Sequence, residues 1–265
     1  MDTDAKDKAE SAKSAFVFAE GPGAFLEKLA TLSRPARVRR LLLVAKHSAD
    51  APQALAFAAA AVDEAKRGLD TAGYRDAVAA HDGLGPASKL GVDAPWLEAS
   101  DARARETQER LEGELASKRS SLNKDAIWAA YRGLGDFFVE RGENAHALKC
   151  FVRMRDYSTS SQRTVETCGR VAAAAVDLKN WAHVANYCAK ADHALDALGP
   201  SARADGGARD LALRLQACGA VAAVASKSYA TAARAFVELA KAAGGDRDGA
   251  PEAGGAAPGR GAAPP

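Results

Sequence analysis

The side chains that could do chemistry are few and widely spaced. His146 and Cys150 lie four residues apart, so on a helix they would share a face and could form half of a metal site. No second pair of ligands stands near them in the sequence. The alternative is that Cys150, next to Phe151, packs as a small hydrophobic residue, and we favour this alternative over a zinc site.

A second segment imitates a phosphate-binding loop. Residues 16–18 are apolar and precede Gly21 and Gly23, but the third glycine position of the G-x-G-x-x-G motif is Leu26. An extended segment followed by a helix fits these residues better. The sequence also lacks the G-x-S-x-G and H-E-x-x-H motifs. It therefore predicts a protein that is not an enzyme, with no catalytic residue, no cofactor and no metal site.

The composition favours helices and argues against several partners. Alanine, the strongest helix former, supplies 65 of the 265 residues, whereas aromatic residues make up 6%. β-Sheets favour branched and aromatic side chains, so an all-β fold is nearly excluded. A net charge of +2 gives no electrostatic reason to expect nucleic acid, and no run of 18 apolar residues predicts a membrane span. Four widely separated cysteines fit a reducing compartment.

The spacing of apolar residues predicts helices along most of the chain. Residues 1–23 are expected to be disordered or extended, and residues 24–119 to form the N-terminal helices, with a loop at 82–95. The helical stretch at 51–81 should break at Gly68 or Gly73, and one long charged helix is expected at 96–119. Residues 244–265 are rich in Gly, Ala and Pro, which predicts a disordered tail.

Residues 120–243 read as repeated helix hairpins. Asn123 is a suitable N-cap and Gly142 a suitable C-terminal residue for the first helix. The tetratricopeptide pattern matches the first hairpin well and the next two loosely. Such hairpins bury their apolar faces by stacking, so we predict an all-α fold, a right-handed α-solenoid. The residues expected to pack the repeats are Tyr131, Leu134, Gly135, Phe138, Ala147, Phe151, Trp181, Val184, Tyr229 and Phe236.

Two features could instead contact a partner. Arg37, Arg39 and Arg40 belong to the only basic cluster, which is either a contact for a partner or the solvated face of its helix. Trp181 is either a wedge between hairpins or an exposed anchor for a partner, because Trp is common in interface hot spots. For both features we favour the structural alternative.

The segment from Leu134 to Asp192 resembles subunit 1 of the COP9 signalosome, and the likeness extends over about residues 24–240. The residues that carry it are Leu134-Gly135-Asp136, Gly142-Glu143, Ala147-Leu148-Lys149-Cys150-Phe151, Arg155-Asp156-Tyr157-Ser158-Thr159-Ser160 and Asn180-Trp181-Ala182-His183-Val184. Ser158 stands where that family usually has Cys. A paralogous subunit of the proteasome lid shares the first helix pair but is less similar across the later motifs.

The resemblance implies a non-catalytic scaffold role. That family supports removal of Nedd8 from cullins through a complex whose protease is another subunit. The implied partners are other signalosome subunits and components of cullin-RING ubiquitin ligases, in the nucleus and cytoplasm, with no nucleic acid and no membrane. A proteasome-lid homologue and a free-standing adaptor that binds a peptide in its groove are the alternatives.

One departure from the family concerns the segment after the third hairpin. The family continues into a PCI domain with a winged helix, which has no counterpart in this sequence. We therefore expect a truncated product or an incomplete gene model. We also expect the chain to associate with the other subunits weakly or not at all, and a PCI domain grafted after Ala243 should restore its incorporation.

Overall fold

The computed structural model describes residues 18–85, 89–199 and 206–244. Within these ranges the chain forms helices and no β-strand, which confirms the all-α prediction. None of the described helices is both long enough and apolar enough to cross a lipid bilayer. The helices are α1 (Pro22–Lys28), α2 (Arg34–His47), α3 (Ala51–Lys66), α4 (Thr71–Gly83), α5 (Ala94–Ser120), α6 (Lys124–Glu140), α7 (Asn144–Met154), α8 (Ser161–Asp177), α9 (Trp181–Asp196), α10 (Gly206–Ala225) and α11 (Tyr229–Gly244), with a short 3-10 turn at Arg155–Tyr157.

Polar side chains set several helix starts. Asn123 accepts hydrogen bonds from the backbone N–H groups of Asp125 and Ala126, as its predicted role as N-cap of α6 requires. The break between α3 and α4 falls at Gly68, while Gly73 lies inside α4. The predictions for residues 1–17 and 245–265, and for part of the loop at 82–95, fall outside the described residues.

The three repeat hairpins share one backbone turn. Helices α6, α8 and α10 are each followed by a residue with positive φ, namely Gly142 (74°), Lys179 (54°) and Lys227 (61°). The N–H of the next residue then bonds to a carbonyl five residues earlier, at 2.8 Å in all three hairpins. This pattern is the Schellman motif, which closes a helix and reverses the chain. The hairpins are thus repeats in backbone geometry, although their turn sequences differ.

The described residues form two main apolar cores. The N-terminal unit, α1–α4, buries residues such as Leu41, Phe57 and Tyr74. The repeat unit, α6–α11, has a core that includes Phe151 and Val171. Helix α5 passes from one core to the other, because its first turn packs in the N-terminal unit and its later turns pack in the repeat unit.

Candidate protein-interaction surfaces

Glu64, on α3, lies against the basic segment of α2. Its side chain is 5% exposed, and its carboxylate accepts ion pairs from Arg37 at 2.7 Å and from Arg67 at 3.4 Å. Arg34 approaches the same carboxylate at 3.8 Å. A buried carboxylate is costly unless cations compensate it, so these arginines stabilise the N-terminal unit. Arg37 therefore compensates the charge of a buried carboxylate and is not part of a free basic surface.

Arg39 reaches from α2 to the second repeat hairpin. Its Nη2 lies 2.6 Å from Oδ2 of Asp177, the last residue of α8. The side chain of Asn144, at the start of α7, donates to the same oxygen at 3.0 Å. A carboxylate at a helix C-terminus faces the negative end of the helix dipole, so Asp177 needs these donors. Arg40 stays exposed and donates to the Ala36 carbonyl one turn earlier.

Arg37 and Arg39 thus have a role within the chain, and their contact with a partner stays a prediction. Both side chains form ion pairs within the chain, because each meets an acidic side chain from another helix. The acidic partners lie 27 and 138 positions away in sequence, Glu64 for Arg37 and Asp177 for Arg39. Of the three predicted contact residues, Arg40 is the one whose described hydrogen bond stays within its own helix.

Further polar contacts join the repeat unit to the N-terminal helices. Nη1 of Arg141 lies 3.6 Å from Oδ1 of Asp101 on α5. The carboxylate of Asp70 packs against Gly142, where an added Cβ would lie 2.7 Å from Asp70 Oδ2. Burial raises the pKa of Asp70, although a backbone hydrogen bond from Gly73 opposes this. Four described contacts therefore link the helices before α6 to the repeat unit: Arg34–Glu140, Arg39–Asp177, Arg141–Asp101 and Asp70–Gly142.

Most of the residues predicted to pack the repeats lie inside the repeat unit. Tyr131 is half-buried and stacks on Tyr157, with ring centroids 5.7 Å apart. Trp181 is also half-buried and packs on a small cluster that includes Val184 and Ala222, so it bridges the second and third hairpins. The buried members of the predicted set are Leu134, Gly135, Phe138, Ala147, Phe151 and Val184.

Tyr229 and Phe236 do not lie in the interior of the described residues. They are 64% and 43% exposed, and Val237 is 54% exposed. The prediction that they pack between repeats is corrected, because α11 turns another face, the one with buried Ala232, toward α10. Helix α11 thus presents an exposed apolar face at Tyr229, Phe236 and Val237, and no other described helix covers it.

Trp128 is a structural residue that the apolar spacing did not single out. It is 4% exposed, and its Nε1 donates to Oγ1 of Thr167 at 3.1 Å. The guanidinium groups of Arg163 and Arg132 lie 5.0 and 5.8 Å from its ring. The available signal was its position beside Ile127, since two adjacent large apolar residues indicate a helix that is buried on more than one side.

The thiols are packing groups. All four cysteines are free, and burial raises the pKa of Cys150 and Cys168 to about 11 and that of Cys188 to about 12. These thiols are therefore protonated at neutral pH, whereas a reactive cysteine needs a lowered pKa. Within the described residues, no three His, Cys, Asp or Glu side chains are grouped to hold a metal ion.

Two surface cavities lie among the described helices. One of about 400 Å³ lies between α9 and α10 and is lined by Asp192, Asp196 and Arg209, among others. Burial and the nearby Asp196 raise the pKa of Asp192. The other, of about 380 Å³, lies beside Lys66 and Tyr74. Lys66 is already paired with Asp93 at 2.8 Å, so its charge is compensated within the chain.

Comparison with known families places this helical array. The family model of the 26S proteasome subunit RPN7 matches residues 93–244, which is more than half of the chain. The chain belongs to this family. The matched region begins at the N-cap of α5 and includes all three repeat hairpins.

Curated relatives extend the similarity into the N-terminal unit. COP9 signalosome complex subunit 1 of Arabidopsis thaliana is 32% identical over 206 residues, which cover 77% of this chain and 44% of the relative. Subunit 1b of Drosophila melanogaster is 32% identical over 145 residues, covering 55% of this chain and 27% of the relative. Subunit 1 of Neurospora crassa is 27% identical over 180 residues, covering 68% and 41%. The matches thus span less than half the length of these relatives.

Proposed function

We propose that this chain is a non-catalytic scaffold subunit of a COP9 signalosome, supporting cullin deneddylation and the regulation of cullin-RING ubiquitin ligases. The observation that carries the proposal is the match to subunit 1 of Arabidopsis thaliana. It covers 206 residues, more than the 152-residue span 93–244 of the family model, so it includes N-terminal helices as well as repeats. The proposed partners are other signalosome subunits and components of cullin-RING ligases, in the nucleus and cytoplasm.

The described side chains favour a role in binding other proteins over a role in catalysis. The thiols are held protonated by burial, and Arg37 and Arg39 of α2 are paired with carboxylates of the same chain. The exposed apolar face of α11 and the exposed Arg40 remain as surface features. Large apolar side chains exposed side by side are typical of contact surfaces between proteins.

A proteasome-lid subunit is the second candidate. The family model carries the description of a 26S proteasome subunit, and it matches the repeat unit directly. The repeat fold alone does not distinguish a lid subunit from a signalosome subunit. The identity of the subunits that bind this chain therefore decides between the two candidates.

The test is co-purification. The tagged chain is expressed in cells of its own species, and the subunits that remain bound are identified and quantified by mass spectrometry. We expect signalosome subunits at levels well above lid subunits. Enrichment of lid subunits would support the second candidate, and enrichment of neither set would overturn both.

A matched control tests whether binding needs the folded repeats. Gly135→Leu should lose the bound subunits, because a side chain there would overlap the Phe151 ring. Gly133→Leu, two residues earlier, should keep them, because its nearest neighbouring atom is 4.0 Å from an added Cβ.

A further inference from the structure

Helix α2 lies across the ends of two successive hairpins. Arg34 reaches Glu140, the last residue of α6, and Arg39 reaches Asp177, the last residue of α8. Glu140 and Asp177 hold the same position in their hairpins, since each lies two residues before the left-handed turn residue. The third hairpin has Ala225 at this position. One basic helix therefore contacts the equivalent acidic position of two consecutive repeats.

We propose that α2 is an electrostatic clasp, which sets the angle between the N-terminal unit and the first two hairpins and opens when its charges are screened. The contacts named above lie within this chain, so the proposal does not depend on which complex the chain joins. Both acidic partners sit at helix C-termini, where the helix dipole adds negative potential and strengthens the attraction to arginine. The clasp thus has one sign of charge on α2 and the other on the hairpin ends.

The energetics explain why the clasp can open. The side chains of Arg39 and Asp177 are 46% and 35% exposed, and those of Arg34 and Glu140 are 39% and 42% exposed. Ion pairs with this exposure contribute about 0–1 kcal/mol each and weaken in salt. The N-terminal unit and the repeat unit have separate apolar cores, and the apolar contacts that join them in the described chain come from helix α5 and from Leu69, which packs against the repeat core. Polar interfaces of this kind usually permit relative motion of the joined units.

The carboxylate of Asp177 is the most sensitive point. It accepts from Arg39 on the N-terminal unit and from Asn144 in the first hairpin, and it belongs to the second hairpin. Neutralising it would weaken contacts among all three parts. Asn144 is buried, so the loss of its acceptor adds to the loss of the ion pair.

The experiment measures the distance between the two units in the full chain. Spin labels are placed at exposed Glu27 on α1 and at exposed Asn186 on α9 of the second hairpin, with Cys188 and Cys218 replaced by alanine to avoid extra labelling. Pulsed electron resonance then gives the distance distribution at low and high salt. The Debye length falls from about 30 Å at 0.01 M to about 3 Å at 1 M salt, which screens the clasp.

We expect one narrow distance peak at low salt and loss of that peak at 1 M. Asp177→Asn should lose the narrow peak already at low salt, and the exchange Arg39→Asp with Asp177→Arg should restore it. Glu114→Gln is the control, because it breaks an exposed Arg110–Glu114 pair within α5, away from the clasp. Circular dichroism must show that each variant keeps its helices.

A distribution that is unchanged by salt and by Asp177→Asn would overturn the proposal. If Asp177→Asn loses helix content, the charge exchange decides: a narrow peak that broadens at 1 M salt supports the clasp, and a peak insensitive to salt overturns it.

Discussion

Gly135 is a position where a single methyl group should matter. A Cβ added there would overlap the ring of Phe151, which lies in the repeat core. We expect Gly135→Ala to lower the free energy of unfolding by about 1–3 kcal/mol, the usual penalty for overpacking. Gly133→Ala in the same helix should instead raise it by about 0.5–1 kcal/mol, because helical Ala is favoured over Gly. Urea denaturation followed by circular dichroism measures both, and equal effects would contradict the packing described.

Asp192 should make the stability depend on pH. Burial and the nearby Asp196 raise its pKa in the folded chain, so its ionised form is less favourable folded than unfolded. Its charge therefore lowers stability at neutral pH, and this penalty disappears as the pH falls through the folded pKa. Asp192→Asn should raise the Tm at pH 7, and the gain should shrink in acid.

The control for this prediction is Asp210→Asn. Asp210 is an exposed carboxylate whose Arg214 partner lies 2.9 Å away, so its neutralisation should bring no gain. A gain from Asp210→Asn equal to that from Asp192→Asn would point to net charge as the cause instead of local burial.

Among single residues, the sequence predicted those that follow one helical stripe. Leu134, Phe138 and Phe151 lie at such positions and are buried. The ion pair of Arg39 with Asp177 could not be predicted, because the two residues are 138 positions apart and periodicity carries no information about contacts between helices. Short-range spacing therefore describes the interior of each hairpin better than the contacts among hairpins.

At the scale of elements, the shared turn gives a direct test. Lys179 and Lys227 adopt a left-handed conformation that costs about 1–2 kcal/mol for a residue with a side chain. We expect Lys179→Gly and Lys227→Gly each to stabilise the chain by about 0.5–1 kcal/mol, after the greater entropy of unfolded glycine is subtracted. Thermal unfolding measures this gain.

Two other substitutions complete that test. Gly142→Ala should destabilise, because Gly142 has positive φ and an added Cβ would press on Asp70. Lys118→Gly, inside α5, should destabilise by about 1 kcal/mol. Stabilisation by Lys118→Gly would mean that glycine acts through something other than the turn.

Helix boundaries were largely predictable from local chemistry. Asn123 as N-cap and Gly142 as the left-handed residue follow from rules about residue type. The left-handed lysines at 179 and 227 do not, because lysine has no preference for that conformation and the hairpin imposes it. The turn is thus dictated by the packing of two helices where its sequence does not favour it.

At the scale of the whole molecule, stability should be uneven. Among the side chains of α11 that the structure describes, Ala232 is the buried one, whereas α8 and α9 contribute several buried side chains to the repeat core. Segments with few buried contacts open first. Hydrogen exchange measured by mass spectrometry should therefore show fast exchange in 229–242 and the slowest exchange in 165–191. Equal protection of the two segments would contradict this gradient.

The global fold class was predictable, and the environment of the third hairpin was not. Stacking of hairpins follows from the repeated apolar pattern, but that pattern does not tell which neighbour covers each apolar face. Tyr229 and Phe236 have the spacing of packed residues and yet are exposed in the described chain. Periodicity identifies an apolar face without identifying what lies against it.

The shared turn also makes the repeat unit measurable from outside. Lys179 and Lys227 are exposed and hold the same position in successive hairpins, so their amines mark the same edge of the array at consecutive steps. A series of amine-reactive crosslinkers of graded length would find the shortest span that joins them. That span reports the distance from one hairpin to the next. A change in the span after a partner binds would show that the array has lengthened or shortened along its axis.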